Sequence, residues 1–509
     1  MRSPQKILNS SNQYRVGILF LFILYFSYSL TSFIEQWPFQ PLRMLSASEH
    51  FYLAQQVASG SVLYRDYAYN KTPLIIYICA MCFLVCQKKL FASVVLIRFI
   101  FWGMYFSAAL PVYMIAKEFL KRNYLPLLCI LLYLGFPFAI HHIAGEPDWH
   151  ILMNTCGLFS LAFVLRKRFV ASGACASLAF LSWQPGLGFL ITIIFVKIFF
   201  PSESRVRDIR DIMWGFAFPI LIFVVYFSIR GSLIDFLSLT IVSTQNNIEL
   251  GFLHEMKLIP RYVRLCYFPF IPAILLSLFG FLLHSFSIFR LKDRDSAALP
   301  SRLLFAITSI TVIYSLIDFQ HCDDFLPFVP WISLYAVYPI KFFLKIPRNT
   351  WGKILAIGVV VLLFTSLKNT FVNPVRVLKK VRDGRLSYQI REQKETLYKT
   401  LYDHGYEESD EITCIETALP CLLTGKKNSY AKYIYFLDNY YTPYIQKHDF
   451  DSVALLFESI RFRRPKFIFT LNNLWERRQH KKWGGRFKNL LDQNYQLHEQ
   501  GRLHIYRRK

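Results

Sequence analysis

The segment His141-His-Ile-Ala-Gly-Glu-Pro-Asp-Trp-His150 places two acids and three histidines inside a chain that is otherwise strongly apolar. Ionisable groups beside membrane-length apolar runs are costly unless paired or used. His141, His142, Glu146, Asp148 and His150 could bind a divalent cation, the metal candidates being Glu146, Asp148 and His150, although their spacing matches no strong metal motif. Hydrogen bonding of helix ends explains the same residues without chemistry. A second group lies earlier: Glu49 within Ser46 to Ala54, then Tyr64-Arg65-Asp66 and Asn70-Lys71-Thr72-Pro73. Phe51, Ala54, Val57 and Ala58 recur at helical spacing, which predicts an amphipathic helix in the membrane interface, capped by Ser48 with Glu49 in its first turn. Glu49 is then either a dipole-favoured glutamate or a carboxylate base held at the membrane surface. Arg65, Lys71 and Arg98 suit a lipid phosphate as forked donors or point charges, while Arg98 can instead snorkel to the interface. His321-Cys-Asp-Asp324 adds ionisable groups at another span end, where loop solvation is the plain alternative.

The elements that must position these residues are membrane spans. The chain has 509 residues, 54% hydrophobic, 17% aromatic and only 18% charged, which excludes a soluble globular domain, disorder and a secreted disulfide scaffold. Its net charge of +25 would suit nucleic acid in a soluble protein. Here much of it sits in loops between apolar runs, so positive-inside bias and anionic lipid account for it and no nucleic-acid partner is expected. Apolar runs predict spans at 16–33, 91–116, 123–141, 150–166, 169–182, 186–200, 212–229, 262–286, 302–317, 325–344 and 352–367, about 11 in all. Pro73 to Cys86 is too short for a crossing and reads as interfacial or re-entrant. With that count, the clusters at Lys117 to Arg122, Arg166 to Arg168, Arg205 to Arg210, Arg290 to Arg294 and Lys341 to Lys353 share one side, which is cytoplasmic by the positive-inside rule.

The resulting organisation is a cytoplasmic amino terminus at 1–15, a transmembrane domain at 16–367 whose first outer loop (34–90) carries interfacial helices, and an extracytoplasmic C-terminal domain at 368–509. Val16 to Phe33 reads as an uncleaved anchor. The tail holds 27 Lys and Arg against 16 Asp and Glu, with a helical stretch at 387–403 and strand-like ones at 466–471 and 503–507, so a small α/β domain is expected. It is a stabilising cap or a dock for an anionic glycolipid. Seven of the ten cysteines lie in apolar segments as small hydrophobes, and Cys414 and Cys421 invite a disulfide.

Four places resemble the GT-C superfamily of polyprenyl-phosphate-sugar-dependent glycosyltransferases, above all bacterial relatives of protein O-mannosyltransferases and the aminoarabinose transferase of lipid A. Glu49 to Pro73, with Gly60, Leu63-Tyr64-Arg65-Asp66 and Asn70-Lys71-Thr72-Pro73, resembles the family's first-loop pattern. Ala144-Gly145-Glu146-Pro147-Asp148 resembles the second-loop acidic motif, also seen in the catalytic subunit of oligosaccharyltransferase. Ser182-Trp183-Gln184-Pro185-Gly186 is similar to a Lys-Gln-Pro-Gly turn, and Gln320-His321 to Leu326-Pro327 to a His-Tyr stretch that ends in proline. The chain departs from the pattern in Ser48-Glu49, where Asp-Glu is usual, and in Trp183, where lysine is common.

The resemblance implies an all-α polytopic membrane protein with a GT-C fold in a bacterial inner membrane. Its active face would be extracytoplasmic, and it would transfer a sugar from a polyprenyl-phosphate donor to a glycolipid, glycan or protein acceptor with inversion. It implies Glu49, Asp148 and, in competition, Asp66 as catalytic carboxylates, with Tyr64, Arg65, Lys71, Arg98, Gln184 and His321 as substrate-binding residues. A lipid or solute transporter and an inactive envelope scaffold are the alternatives.

Overall fold

A computed structural model of the chain describes residues 46–121, 124–136, 146–199, 204–242, 259–261, 263–264, 267–288, 298–317, 322–344, 351–363, 365–366, 389–415, 417–428, 460–471, 484–500 and 503–509. The helices are Ser46–Ala58 (α1), Leu74–Val85 (α2), Leu90–Ser107 (α3), Ala109–Leu120 (α4), Leu125–Leu134 (α5), Trp149–Leu165 (α6), Phe169–Ser182 (α7), Leu187–Phe199 (α8), Arg205–Ile229 (α9), Ile271–Ile288 (α10), Ala298–Ile317 (α11), Val329–Phe343 (α12) and Trp351–Leu363 (α13). Three more lie in the C-terminal segment: Gln389–Asp403 (α14), Leu419–Thr424 (α15) and Gly484–Asn494 (α16). Short 3₁₀ helices, Gln184–Gly186 and Cys322–Phe328, lead into α8 and α12, each containing a proline whose fixed φ suits a turn.

Among the described residues, four segments are long and apolar enough to cross a bilayer: Leu90–Leu120, Arg205–Ile229, Phe268–Ile288 and Asp324–Phe343. Seven further apolar helices have 10–17 residues, or about 15–25 Å at 1.5 Å per residue. Apart from Leu74–Val85, each of these apolar helices overlaps one expected span. The span at 16–33 lies outside the described residues. The large apolar side chains of α9 and α10 point outward, with Trp214 69%, Phe218 67% and Phe286 68% exposed. A contiguous outward apolar surface of this kind is a lipid face, and the chain is a multi-pass membrane protein.

Inside the bundle, glycines bring backbones together. A Cβ on Gly173 of α7 would strike the Ile212 carbonyl of α9, one on Gly215 of α9 would strike Val170 of α7, and one on Gly280 of α10 would strike the Tyr335 carbonyl of α12. With no hydrophobic force between helices in lipid, such close approach supplies the packing.

The helix ends sort into two layers. At one end Lys341 donates to the Phe119 carbonyl at the close of α4 (2.6 Å), Lys197 pairs with Asp208 (2.7 Å) and Arg166 to Arg168 turn α6 into α7. The opposite ends of α6, α7 and α9 bear Asp148, Trp183 and Arg230.

The C-terminal strands Ile412–Ile415 (β1), Phe467–Leu471 (β2), Tyr495–Gln500 (β3) and Leu503–Arg508 (β4) form one sheet in the order β1-β2-β4-β3. β1 and β2 are parallel, and the other pairs are antiparallel. Cys414 of β1 and Cys421 of α15 are joined in a disulfide.

The buried Lys197–Asp208 pair ties α8 to α9. Lys197→Met alone leaves an uncompensated buried carboxylate and is expected to cost about 3–5 kcal/mol, whereas Lys197→Met with Asp208→Leu recovers most of that loss. Thermal unfolding of the two variants in detergent measures the difference.

Candidate active site at the end of the bundle

Helix α1 is covered on more sides than the stripe at Phe51, Ala54, Val57 and Ala58 predicts. His50, Tyr52, Leu53, Gln55 and Gln56 on its other sides are buried as well, because α2 packs on one flank and α15 on another. Ser48 is buried within the first turn instead of capping it, since the helix already runs from Ser46. Glu49 stands half-buried in that turn, where the helix dipole favours a carboxylate.

Asp148 caps α6. One carboxylate oxygen accepts the Ile151 N–H at 2.9 Å, and the carboxylate also lies 3.3 Å from Nδ1 of His150. The other ring nitrogen of His150, Nε2, is 3.4 Å from Asp324 Oδ1 on the 3₁₀ turn before α12. His150 is 1% exposed, so the two carboxylates are joined through a fully enclosed imidazole. Asn154, one turn further along α6, donates to the Leu326 carbonyl at 3.0 Å and fastens the same two elements. The edge of Trp183 closes on His150 at 4.5 Å between ring centres, with Tyr314 of α11 behind it at 5.5 Å.

Trp149 receives the first loop. The Lys71 ammonium sits over its ring, 2.8 Å from the centre, and the His50 ring lies at 4.9 Å. Stacking a cation on an indole is favourable. Tyr64 takes a left-handed conformation (φ 71°), which lets its N–H reach the Tyr67 carbonyl at 2.8 Å and its hydroxyl donate to the Lys71 carbonyl at 2.7 Å. Its ring is buried against Phe227 and Phe236. Gln184 donates to the carbonyls of Asn70 (2.8 Å) and Thr240 (3.2 Å). The polar atoms of Tyr64 and Gln184 thus hold the backbone that presents Lys71.

Arg65 pairs with Asp66 (3.0 Å) and reaches the Arg230 carbonyl at the end of α9 (3.4 Å). Asp66 also accepts the Val62 N–H at 2.8 Å, closing the turn. Arg98 is completely buried on α3, so it does not snorkel to a surface. His141, His142 and His321 lie outside the described residues.

The metal candidates meet a different geometry from the one expected. Among the described residues no three His, Cys, Asp or Glu side chains come together as a cation site. Both His150 nitrogens face carboxylates, Nδ1 that of Asp148 and Nε2 that of Asp324. Glu146 and Asp148 are both buried at the entrance to α6.

Sequence alone gives no role to His50 or Trp149, and Asp324 enters it only within the cluster His321-Cys-Asp-Asp324. Trp149 carries a signal in its adjacency to Asp148, but His50 has none beyond its neighbour Glu49.

No protein-family profile matches the chain, and no curated protein does. Solved structures match it nearly end to end. ArnT from Cupriavidus metallidurans in the apo state superposes with a TM-score of 0.60 at 8% identity, covering 95% of this chain and 97% of that one. ArnT bound to undecaprenyl phosphate gives 0.55 at 10% identity, with the same coverage. The archaeal oligosaccharyltransferase AglB from Archaeoglobus fulgidus, in complex with an inhibitory peptide and a dolichol-phosphate, gives 0.53 at 11% identity over 97% of this chain and 74% of that one. At such identities the shared property is the fold, and it is the GT-C fold that the sequence motifs resemble.

Asp66 titrates under its neighbours' control: the Arg65 guanidinium, hydrogen-bonded to its carboxylate, holds its pKa below the ordinary 3.8 despite partial burial, helped by the Val62 N–H. A depressed carboxylate pKa adds stability above the unfolded value and loses it as pH falls through the folded one. The drop in melting temperature below roughly pH 4 should therefore be shallower in Asp66→Asn than in the unaltered protein, with no difference at pH 7 in the slope.

Proposed function

We propose that the chain is an integral-membrane glycosyltransferase that moves a sugar from a polyprenyl-phosphate donor to an envelope glycolipid, polysaccharide or protein acceptor, with inversion. The observation that carries this reading is the convergence at one end of the bundle. Asp148 and Asp324 meet through His150, and beside them Trp149 collects Lys71 and the helix that bears Glu49. A base and a cation beside a lipid-facing surface are what transfer from a lipid phosphate requires. The fold shared with ArnT, crystallised with undecaprenyl phosphate, and with AglB, in complex with a dolichol-phosphate, supports the donor class.

In this reading Glu49 removes the proton from the acceptor hydroxyl as its oxygen attacks the anomeric carbon. The bond from that carbon to the phosphate oxygen breaks, and polyprenyl phosphate leaves with the electron pair. Lys71 meets the charge that develops on the phosphate. Arg65 is committed to Asp66 and to the end of α9, and Arg98 is enclosed in the bundle, so Lys71 is the cation placed at the cluster. Arg65, hydrogen-bonded to Asp66, lowers that carboxyl's pKa and so weakens it as a base. Asp148 positions His150 and the first turn of α6, and with Glu146 it is the carboxylate pair to which a divalent cation would bind.

The site end is the extracytoplasmic one in this reading, and the membrane a bacterial inner membrane. Two features support the sidedness: the basic turn Arg166 to Arg168 lies at the opposite end of α6 from His150, and the C-terminal segment packed on α1 contains a disulfide, a bond that persists in oxidising compartments.

The test is release of polyprenyl phosphate by the purified protein in lipid, given a panel of polyprenyl-phosphate sugars and acceptors. Glu49→Gln is expected to lower turnover about 10²- to 10⁴-fold, and Lys71→Ala to lower it without abolishing donor binding. Turnover that survives Glu49→Gln and fails in Asp66→Asn would transfer the role of base to Asp66. Donor binding without turnover under every acceptor would convert the reading to an inactive scaffold.

A further inference from the structure

The C-terminal segment, which packs α15 on α1, also reaches back to that helix by a hydrogen bond. Asn428, beyond α15, donates its main-chain N–H to the Tyr52 hydroxyl at 2.8 Å. Its side chain is turned onto β1, where Oδ1 accepts the Cys414 N–H at 3.1 Å and Nδ2 donates to the Cys414 carbonyl at 2.9 Å. A carboxamide offers a separate donor and acceptor that pair with one residue's N–H and C=O together. Asn428 is 1% exposed and Tyr52 is fully buried, so these bonds form away from water. Cys414 is also cross-linked to Cys421. A loop closed once by a disulfide and again by a two-point hydrogen bond thus presents a single N–H to α1.

The far side of the contact belongs to the first loop. The Tyr52 and Tyr67 hydroxyls lie 3.5 Å apart, and Tyr67 donates to Gln56 Oε1 at 3.3 Å, so Tyr67 is fastened to α1 through the same network. Tyr52 follows Glu49 by three residues and therefore lies one turn along the same helix face. A rotation or slide of α1 that frees Tyr52 displaces Glu49 and His50 with it.

We propose that the loop 414–428 is a positioning element of the transfer site, with Asn428 and Tyr52 as positioning residues that fix α1, and the Cys414–Cys421 disulfide as the brace that fixes the loop. The inference rests on the reading of Glu49 as the base, and it assigns the C-terminal segment a role in turnover beyond that of a cap.

The experiment uses the full chain in lipid nanodiscs and compares it with Tyr52→Phe, which deletes the acceptor while keeping the ring, with Asn428→Ala, and with Cys414→Ser/Cys421→Ser. Amide hydrogen exchange and steady-state kinetics with a lipid-linked sugar are read on each. Expected are faster exchange across 48–58 with α6 unchanged, and a fall in kcat of about ten- to a hundredfold at a donor KM little changed. The unaltered protein treated with reductant should shift in the same direction. Unchanged exchange across 48–58 in Tyr52→Phe overturns the proposal, as does unchanged kcat in the face of faster exchange, or a loss of kcat no greater than the loss of folded protein. If the unaltered protein turns over no donor, the transferase reading fails by itself, and exchange alone decides whether the loop holds α1.

Discussion

The imidazole of His150, enclosed between Asp148 and Asp324, is the contact on which the arrangement of the site end depends. Carboxylates buried beside apolar helices carry a large desolvation penalty unless each finds a partner. Here one ring serves two of them, and in doing so it sets the start of α6 against the turn that begins α12. Asp148 and Trp149 immediately precede His150 in the chain, so the same constraint orients the indole that holds Lys71 and the carboxylate that caps α6. The first loop, clipped to the bundle by Gln184 and held in its own turn by Tyr64, then has little freedom in where it places its cation.

The remainder of the bundle makes this end possible by keeping its other demands elsewhere. Glycines at the α7–α9 and α10–α12 crossings provide close packing without polar groups. The buried Lys197–Asp208 pair and the Lys341 cap on α4 serve the opposite end, where the basic loops gather. Charge is thus split between a layer that anchors the protein in its membrane and a layer that brings acids, a stacked lysine and aromatic rings together.

Much of this was legible in the sequence, and the parts that were not share one cause. Apolar runs located the helices because burial in lipid leaves a direct mark on composition, and the segments around Asp148 and Lys71 stood out as ionisable residues where such residues are expensive. The environment of α1 was illegible: its apolar stripe described one face, while the cover on Tyr52, Gln55 and Gln56 includes a segment almost 400 residues away in the chain, ending at Asn428. Arg98 was open between surface and interior for the same reason, since its complete burial is decided by neighbouring helices and not by its own. Spacing alone could not show that Asp324 lies across from His150. The fold comparison extends the local motifs to the whole chain, at identities of 8–13% that leave the chemistry to be argued from these residues.

The most direct measurement is an electron cryomicroscopy structure of the protein in a nanodisc with polyprenyl phosphate. The account places the phosphate beside the Lys71 ammonium at Trp149, within hydrogen-bond reach of that lysine and on the side of the cluster that bears Glu49, with the isoprenoid chain running into the lipid. A phosphate bound at the opposite end of the helices, among Lys197, Arg166 to Arg168 and Lys341, or along a path through the bundle, would contradict it.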